Sequence, residues 1–210
     1  RGLNVGEISR GNVEMFTIIA RKICATMGLP VFVASVEIGR RVLCERQPAT
    51  LAVRVAQWEG IWDAKVVASS RILLAPVCID EGRAPRDWVF LVIRPGEDGA
   101  TFATAKSLCA RTYDRMGRKQ LIDDLFQGFR VAIGSVTDGV IADLSEERCR
   151  FPKVNAAYDV AVCVLGLLFR AVCLEAGVSA LDDASELFVV SMCERVRGAY
   201  NAMRAQAERR

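Results

Sequence analysis

The sequence predicts a mixed α+β fold with three consecutive parts: an N-terminal helix, an antiparallel sheet of about five strands in residues 31–94, and a layer of three to four helices in residues 101–205. Apolar residues recur at helical spacing near the N-terminus, alternate with period two in the middle, and return to helical spacing after Gly99. The 210 residues, of which 52% are hydrophobic and 25% charged, suit a single globular domain over 1–210.

The first helix is predicted from about Asn12 to Met27. Its apolar residues share one face at helical spacing: Val13, Phe16, Ala20, Ile23 and Met27. Asn12 is a suitable N-cap, and the helix is expected to end at Gly28 and Pro30.

The sheet is predicted from alternating apolar residues that are joined by short turns. The alternation is visible in Phe32, Ala34, Val36 and Ile38, in Leu51, Val53 and Val55, and around Val66 and Val67. Further strands are expected at 72–79 and 88–93. No helix of ten or more residues fits between them, so a doubly wound α/β fold is not expected.

The C-terminal part is predicted to be helical. One helix is expected over 102–117 and another around 121–133, and residues 154–176 form a helix that is apolar almost all round. The last helix begins near Asp183 and Glu186, which resemble a capping box.

Histidine is absent, which removes the commonest general acid or base and the commonest metal ligand. The eight cysteines form no CxxC pair, and the glycines at 134 and 139 lack the Lys-Ser/Thr of a phosphate-binding loop. We therefore predict no catalytic residue, no metal site and no cofactor. An enzyme that uses carboxylates and arginines is the third of three functional alternatives.

The spacing of the cysteines favours free thiols in a reducing, intracellular compartment. The most apolar run, residues 160–169, is bracketed by Asp159 and Arg170 and is too short to span a membrane. No membrane-spanning helix is expected.

Basic residues indicate a nucleic-acid-binding protein as the second alternative. The residues expected at this surface are a ridge on one helix (Arg111, Arg115, Arg118 and Lys119), two adjacent arginines (Arg40 and Arg41) and two tryptophans for base stacking (Trp58 and Trp62). Nearby aspartates could instead neutralise the ridge, and the tryptophans could pack on the sheet.

The C-terminal half carries more apolar surface than a helical layer on one sheet needs, which favours a partner interface. The residues expected there are Val164, Leu168, Leu187, Val190, Val196, Tyr200 and Met203. The leading hypothesis is therefore a non-catalytic interaction or assembly subunit of a larger intracellular complex, bound to another protein or to copies of itself.

Overall fold

The computed structural model of the chain describes residues 8–45, 47–55, 57–58, 62–78, 88–95, 102–109, 116–135, 145–150, 160–178 and 186–209. Within these ranges the fold is of mixed α+β type, as the sequence predicts. The helices are α1 (Arg10–Thr26), α2 (Val36–Cys44), α3 (Pro48–Val55), α4 (Ala64–Ser69), α5 (Met116–Gly134), α6 (Val160–Glu175) and α7 (Glu186–Glu208). The strands are β1 (Val31–Val33), β2 (Ile72–Cys78), β3 (Trp88–Pro95), β4 (Phe102–Cys109) and β5 (Ser145–Arg150).

These strands form one mixed sheet in the order β1-β2-β3-β4-β5. The inner strands β2, β3 and β4 are antiparallel, with Leu73 opposite Ile93 and Cys78 opposite Trp88. Each outer strand is parallel to its neighbour, β1 to β2 and β5 to β4. Parallel neighbours need a crossover connection. The helices α2, α3 and α4 lie between β1 and β2 in the chain, and α5 lies between β4 and β5.

The prediction of about five antiparallel strands in residues 31–94 is wrong, because this region contributes three strands and three helices. The segments around 36–38, 51–55 and 66–67 lie in α2, α3 and α4. Helix-start signals explain the difference, since Ser35 caps α2 and Asp63 caps α4. Helices of six to nine residues have too few turns to display a helical period, so their apolar pairs also fit a strand.

The helix predicted over 102–117 is also wrong, because strand β4 occupies Phe102–Cys109. The sequence pattern predicts no element for β5. The apolar residues Phe102, Ala105, Leu108 and Cys109 of β4 are spaced as in a helix, which explains the wrong prediction. Strand β5 obtains its backbone hydrogen bonds from β4, and a local sequence window around β5 does not contain this partner. The helical predictions over 121–133 and 154–176 correspond to α5 and α6 with shifted boundaries, and the last predicted helix corresponds to α7.

Helices cover both faces of the sheet and form three layers. Side chains alternate along β2, so that Ile72 and Leu74 enter one core while Leu73 and Ala75 enter the other. The first core lies between the sheet and α1, α6 and α7, and the second core lies between the sheet and α2, α3 and α5. Because every residue of β2 is buried, its sequence is a nearly continuous apolar run.

Helix α1 begins one turn earlier than the sequence predicts and ends where it predicts. Ser9, not Asn12, is its N-cap, and the Ser9 hydroxyl accepts a hydrogen bond from the Asn12 N–H. At the other end Gly28 has a φ of 64°, a conformation that favours glycine. The Leu29 N–H donates to the Cys24 carbonyl and the Gly28 N–H to the Ala25 carbonyl, which is a Schellman motif.

Two glycines allow close packing in the second core. A Cβ added to Gly39 in α2 would lie 2.8 Å from a methyl group of Val77 on β2. A Cβ added to Gly128 in α5 would clash with a methyl group of Val42 on α2. The absence of a side chain at these positions lets α2 lie directly against the sheet and against α5.

Helix α6 is buried along most of its length between α1, α7 and the sheet. In the part of the chain that the structure describes, no helix combines the length and the apolar character needed to cross a membrane.

Candidate functional site

The side chains of α1 fall into three stripes along the helix. One stripe is buried in the first core and includes Val13, Phe16 and Ala20. A second stripe, formed by Arg10, Glu14 and Arg21, is charged: Arg10 contacts Glu37 of α2, Glu14 contacts the N-terminus of α2, and Arg21 pairs with Glu14. The third faces solvent. Residues four and seven positions apart share one side of a helix, which explains why the buried, charged and exposed residues of α1 form separate stripes.

Glu14 joins α1 to the start of α2. Its Oε2 accepts hydrogen bonds from the backbone N–H of Val36 at 2.7 Å and from the Ser35 hydroxyl at 3.0 Å. Its Oε1 accepts a hydrogen bond from Arg21 Nη2 at 2.6 Å. A carboxylate next to the positive end of a helix is favourable, so Glu14 acts as a cap that comes from another helix.

Glu37, in the first turn of α2, accepts hydrogen bonds from three arginines: Arg10 on α1, and Arg40 and Arg41 on α2. Hydrogen bonding from Arg40, followed by that from Arg41 and by the charges of Arg40 and Arg10, lowers the pKa of Glu37 to about 2, although partial burial opposes the shift. Glu37 is therefore ionised at neutral pH and holds no proton to donate.

We call Arg10, Arg21, Arg40 and Arg41, together with Glu14 and Glu37, the arginine cluster. It places four guanidinium groups around two carboxylates, so its described side chains carry an excess of positive charge. Its arginine side chains are 30–42% exposed. Arg40 and Arg41, which the sequence suggests as basic surface residues, thus lie in a larger charged site that includes α1.

Trp58 and Trp62 are not available for stacking on a base, because they are only 3% and 6% exposed. They pack edge to face with ring centres 6.1 Å apart, and Trp62 also packs against Phe32 of β1. The Arg41 guanidinium lies 5.9 Å from the ring centre of Trp58. The tryptophans are therefore part of the second core, and the Trp58 ring makes a cation–π contact with the Arg41 guanidinium.

The predicted basic ridge lies largely outside the described part of the chain. Arg111 and Arg115 are outside the described residues. Arg118 and Lys119 are in the first turn of α5, which begins at Met116, and their side chains are outside the described part.

The predicted partner interface consists largely of core residues. Val164 and Leu168 are completely buried, Val196 and Tyr200 are buried, and Met203 packs against the first core. The apolar surface that suggests a partner is instead covered by α1, α6, α7 and the sheet. Leu187 and Val190 belong to α7, in a stretch whose side chains are outside the described part.

The outer face of α1 carries exposed apolar side chains that are not among the predicted interface residues. Ile18 is 42% exposed and Ile19 is 38% exposed, and Met27, just after the helix, is 53% exposed. Lys22 and Ala25 complete this face and are exposed as well. The signal was present in the sequence as Ile18 and Ile19 lying opposite the buried stripe of a helix.

A cleft of about 250 Å³ lies between α2, α3 and α5. Val42, Leu51 and Val131 form apolar walls, and Glu45 and Asp124 bring two carboxylates. Glu45 is already paired with Arg54 of α3 at 2.5 Å, and Asp124 accepts a hydrogen bond from Gln120 at 2.8 Å. The acidic groups of the cleft are thus engaged within the protein.

No group of three potential metal ligands occurs among the residues that the structure describes. Burial raises the pKa of the Cys24 thiol to about 11, against a smaller opposing effect of a backbone hydrogen bond. Burial also raises the pKa of Cys173, although the charge of Arg195 opposes it. Both thiols are therefore protonated at neutral pH and are poor nucleophiles.

No family model matches the sequence, and no curated protein matches it.

Proposed function

We propose that this protein is a non-catalytic interaction subunit that docks on a partner protein through the outer face of α1. The observation that carries the proposal is the exposure of Ile18 and Ile19 on the outer face of α1, and Met27 is a further exposed apolar residue just after the end of the helix. Large apolar side chains that adjoin on a surface favour burial against a partner. The proposed interface therefore lies on the N-terminal helix and not on the C-terminal helices, where the sequence predicts it.

The flanking charges favour a partner that carries carboxylates. Lys22 lies within the outer face, and Arg21 borders it on the side of α2. An amphipathic helix of this kind suits an apolar groove with an acidic rim. In a twofold symmetric dimer the same patch would meet itself. The Lys22 and Arg21 of one copy would then approach those of the other, which disfavours self-association.

The hydrogen bonds and ion pairs of Glu14 and Glu37 support a non-catalytic role for these two carboxylates. Glu14 is held by Arg21 and by the start of α2, and Glu37 is held by three arginines with its pKa at about 2. A general acid or base near neutral pH needs a pKa close to that pH. Glu37 is therefore not suited to acid–base catalysis near neutral pH, and the sequence contains no histidine.

The proposal places the complex in a reducing, intracellular compartment. Among the described cysteines, Cys24, Cys44 and Cys173 are free thiols, and Cys44 is exposed. An exposed thiol is more typical of a reducing compartment than of a secreted protein.

The docking proposal is tested with an Ile18→Gln/Ile19→Gln double variant. Glutamine is polar, uncharged and a good helix former, so the fold should be retained, which circular dichroism and thermal unfolding check. Val53→Gln is the matched control, because Val53 is 65% exposed but belongs to α3 on the opposite side of the sheet. The wild-type protein is isolated from its native source and treated with a carbodiimide, which joins lysines to carboxylates that contact them.

We expect one stoichiometric complex in which Lys22 is cross-linked to an aspartate or glutamate of the partner. The α1 double variant should bind that partner at least tenfold more weakly, and Val53→Gln should bind it like the wild type. A monomer without a stoichiometric partner, cross-links that map outside α1, or equal binding by both variants would overturn the proposal. A homodimer that the α1 variant disrupts would also overturn it, in favour of self-association.

A further inference from the structure

The arginine cluster borders the outer face of α1 but is a separate surface. Its four guanidinium groups come from two helices, and the two carboxylates between them fix their positions. Arg21 and Arg41 each use part of a five-donor guanidinium group in the contacts described above. Both side chains remain partly exposed, at 30% for Arg21 and 40% for Arg41, although the Nε of Arg21 is buried.

We propose that the arginine cluster binds the phosphate backbone of a nucleic acid without regard to base sequence. Guanidinium groups are planar and donate paired hydrogen bonds that match the oxygens of a phosphate. This inference rests on charge and geometry at the junction of α1 and α2. It does not depend on the docking of a partner protein on the outer face of α1.

The length of the cluster suits a polymer with regularly spaced charges. Arg10 and Arg21 lie on one stripe of α1 and are separated by about 16 Å of helix rise. This distance corresponds to roughly five nucleotide steps along one strand of B-form DNA, at about 3.4 Å each. Arg40 and Arg41 widen the site on the side of α2. Because Glu14 and Glu37 hold these guanidinium groups in place, little side-chain freedom is lost when phosphates bind.

The buried tryptophans explain why the proposed contact is to phosphates and not to bases. Base stacking needs an exposed aromatic ring, and Trp58 and Trp62 are covered by the second core. Trp58 contributes indirectly, since its ring lies under the Arg41 guanidinium. A site that contacts only the backbone binds through released counterions, so its affinity must fall steeply as salt increases.

The test measures binding of the full chain to a short fluorescent DNA duplex of mixed sequence as a function of salt. If all four arginines meet phosphates, the logarithm of the binding constant falls with a slope of about −3 to −4, or roughly a hundredfold between about 50 and 200 mM salt. Arg21→Gln/Arg41→Gln should reduce that slope by about two. The control, Arg54→Gln/Arg204→Gln, removes two exposed arginines that are also paired with glutamates, and it should leave the slope within about one of the wild type.

A second measurement uses the wild-type protein, so its result does not depend on the stability of the variants. Phenylglyoxal modifies accessible guanidinium groups, and bound duplex should protect Arg21 and Arg41 of the wild-type protein while Arg204 stays reactive. The Ile18→Gln/Ile19→Gln variant should bind DNA like the wild type, which separates failure of this proposal from failure of the docking proposal.

Several outcomes would overturn the assignment. These are no binding at low salt, a slope that the control variant lowers more than the cluster variant does, or no protection of Arg21 and Arg41. Displacement of the duplex by millimolar inorganic phosphate at constant ionic strength would identify free phosphate as the ligand. Binding to phosphatidylserine vesicles without binding to duplex would identify a lipid surface, and either result rejects a nucleic-acid backbone.

Discussion

The two faces of the sheet are covered in different ways. The first core is filled by apolar side chains, because α6 has an almost continuous apolar sequence and packs against α1, α7 and the sheet. In the second core the helices and the sheet pack at short distance, because Gly39 and Gly128 have no side chain and let α2 lie directly on β2 and α5. The stability of the two cores should therefore respond to opposite substitutions. The first core should be destabilised mainly by loss of side-chain volume, and the second mainly by added side-chain volume.

The largest effect is expected from removing volume in the first core. Leu165 of α6 is completely buried, and Leu165→Ala should lower the free energy of unfolding by about 2–5 kcal/mol through lost burial and a residual cavity. Urea denaturation followed by circular dichroism measures the change. Leu165→Met is the control, since it nearly conserves volume and should cost less than about 1.5 kcal/mol. Equal losses in both variants would show that volume is not the sensitive property of this core.

A smaller effect of opposite origin is expected in the second core. Gly128→Ala introduces a Cβ that clashes with Val42, and it should cost about 1–3 kcal/mol, reduced by up to about 1 kcal/mol by the better helix propensity of alanine. Chemical denaturation of the variant gives the difference.

Gly198→Ala in α7 is the matched control for this change, because a Cβ there meets no atom within 4 Å. It should stabilise the protein by up to about 1 kcal/mol. If the clash is the cause, Gly128→Ala should cost little in a Val42→Ala background. A full penalty in that background would rule out contact with Val42 as the reason.

A third effect, comparable to the second, is expected at the ion pairs of Glu37, which link α2 to Arg10 of α1. The pKa of Glu37 is about 2 in the folded protein and near 4.5 when unperturbed. Its contribution is therefore fully present above pH 4.5 and is lost as the pH falls toward 2. Because the partner arginines are partly exposed, we expect Glu37→Gln to cost only about 1–2 kcal/mol at pH 6.

The measurement compares the unfolding free energy of wild type and Glu37→Gln at pH 6 and at pH 3. The difference between them should shrink by more than half at pH 3, since the unfolded glutamate is protonated there. Glu208→Gln is the control, because Glu208 forms an exposed ion pair with Arg204 within α7. Its effect should be small at both pH values. A difference for Glu37→Gln that does not change with pH would contradict the assigned cause.

Sequence reasoning succeeded where one element determines its own pattern. Helix α1, with its end at Gly28, strands β2 and β3, and helix α7 follow from local periodicity and turn residues. The helices between β1 and β2 were missed because each is shorter than the window in which a helical period is visible. Strand β4 was missed because its apolar residues, such as Phe102, Ala105 and Leu108, also recur at a spacing that fits a helix.

The candidate site could be predicted only in part. Arg40 and Arg41 were recognisable as adjacent basic residues, and Arg10, Glu14 and Arg21 show a helical spacing that places them on one stripe. The contact between that stripe and Glu37 is tertiary, so no local pattern reports it. For Trp58 and Trp62 the sequence leaves open base stacking or packing on the sheet, and the structure shows both rings buried in the second core.

The short length of strand β1 limits how molecules of this protein can associate through their sheets. It forms one edge of the sheet, and it is only three residues long. An edge this short presents few unpaired backbone groups, so it is a poor template for adding a strand from another molecule and offers little opportunity for aggregation through backbone pairing. At this edge, recognition is left to side chains on the neighbouring helices, which can be specific for one partner in a way that backbone pairing is not.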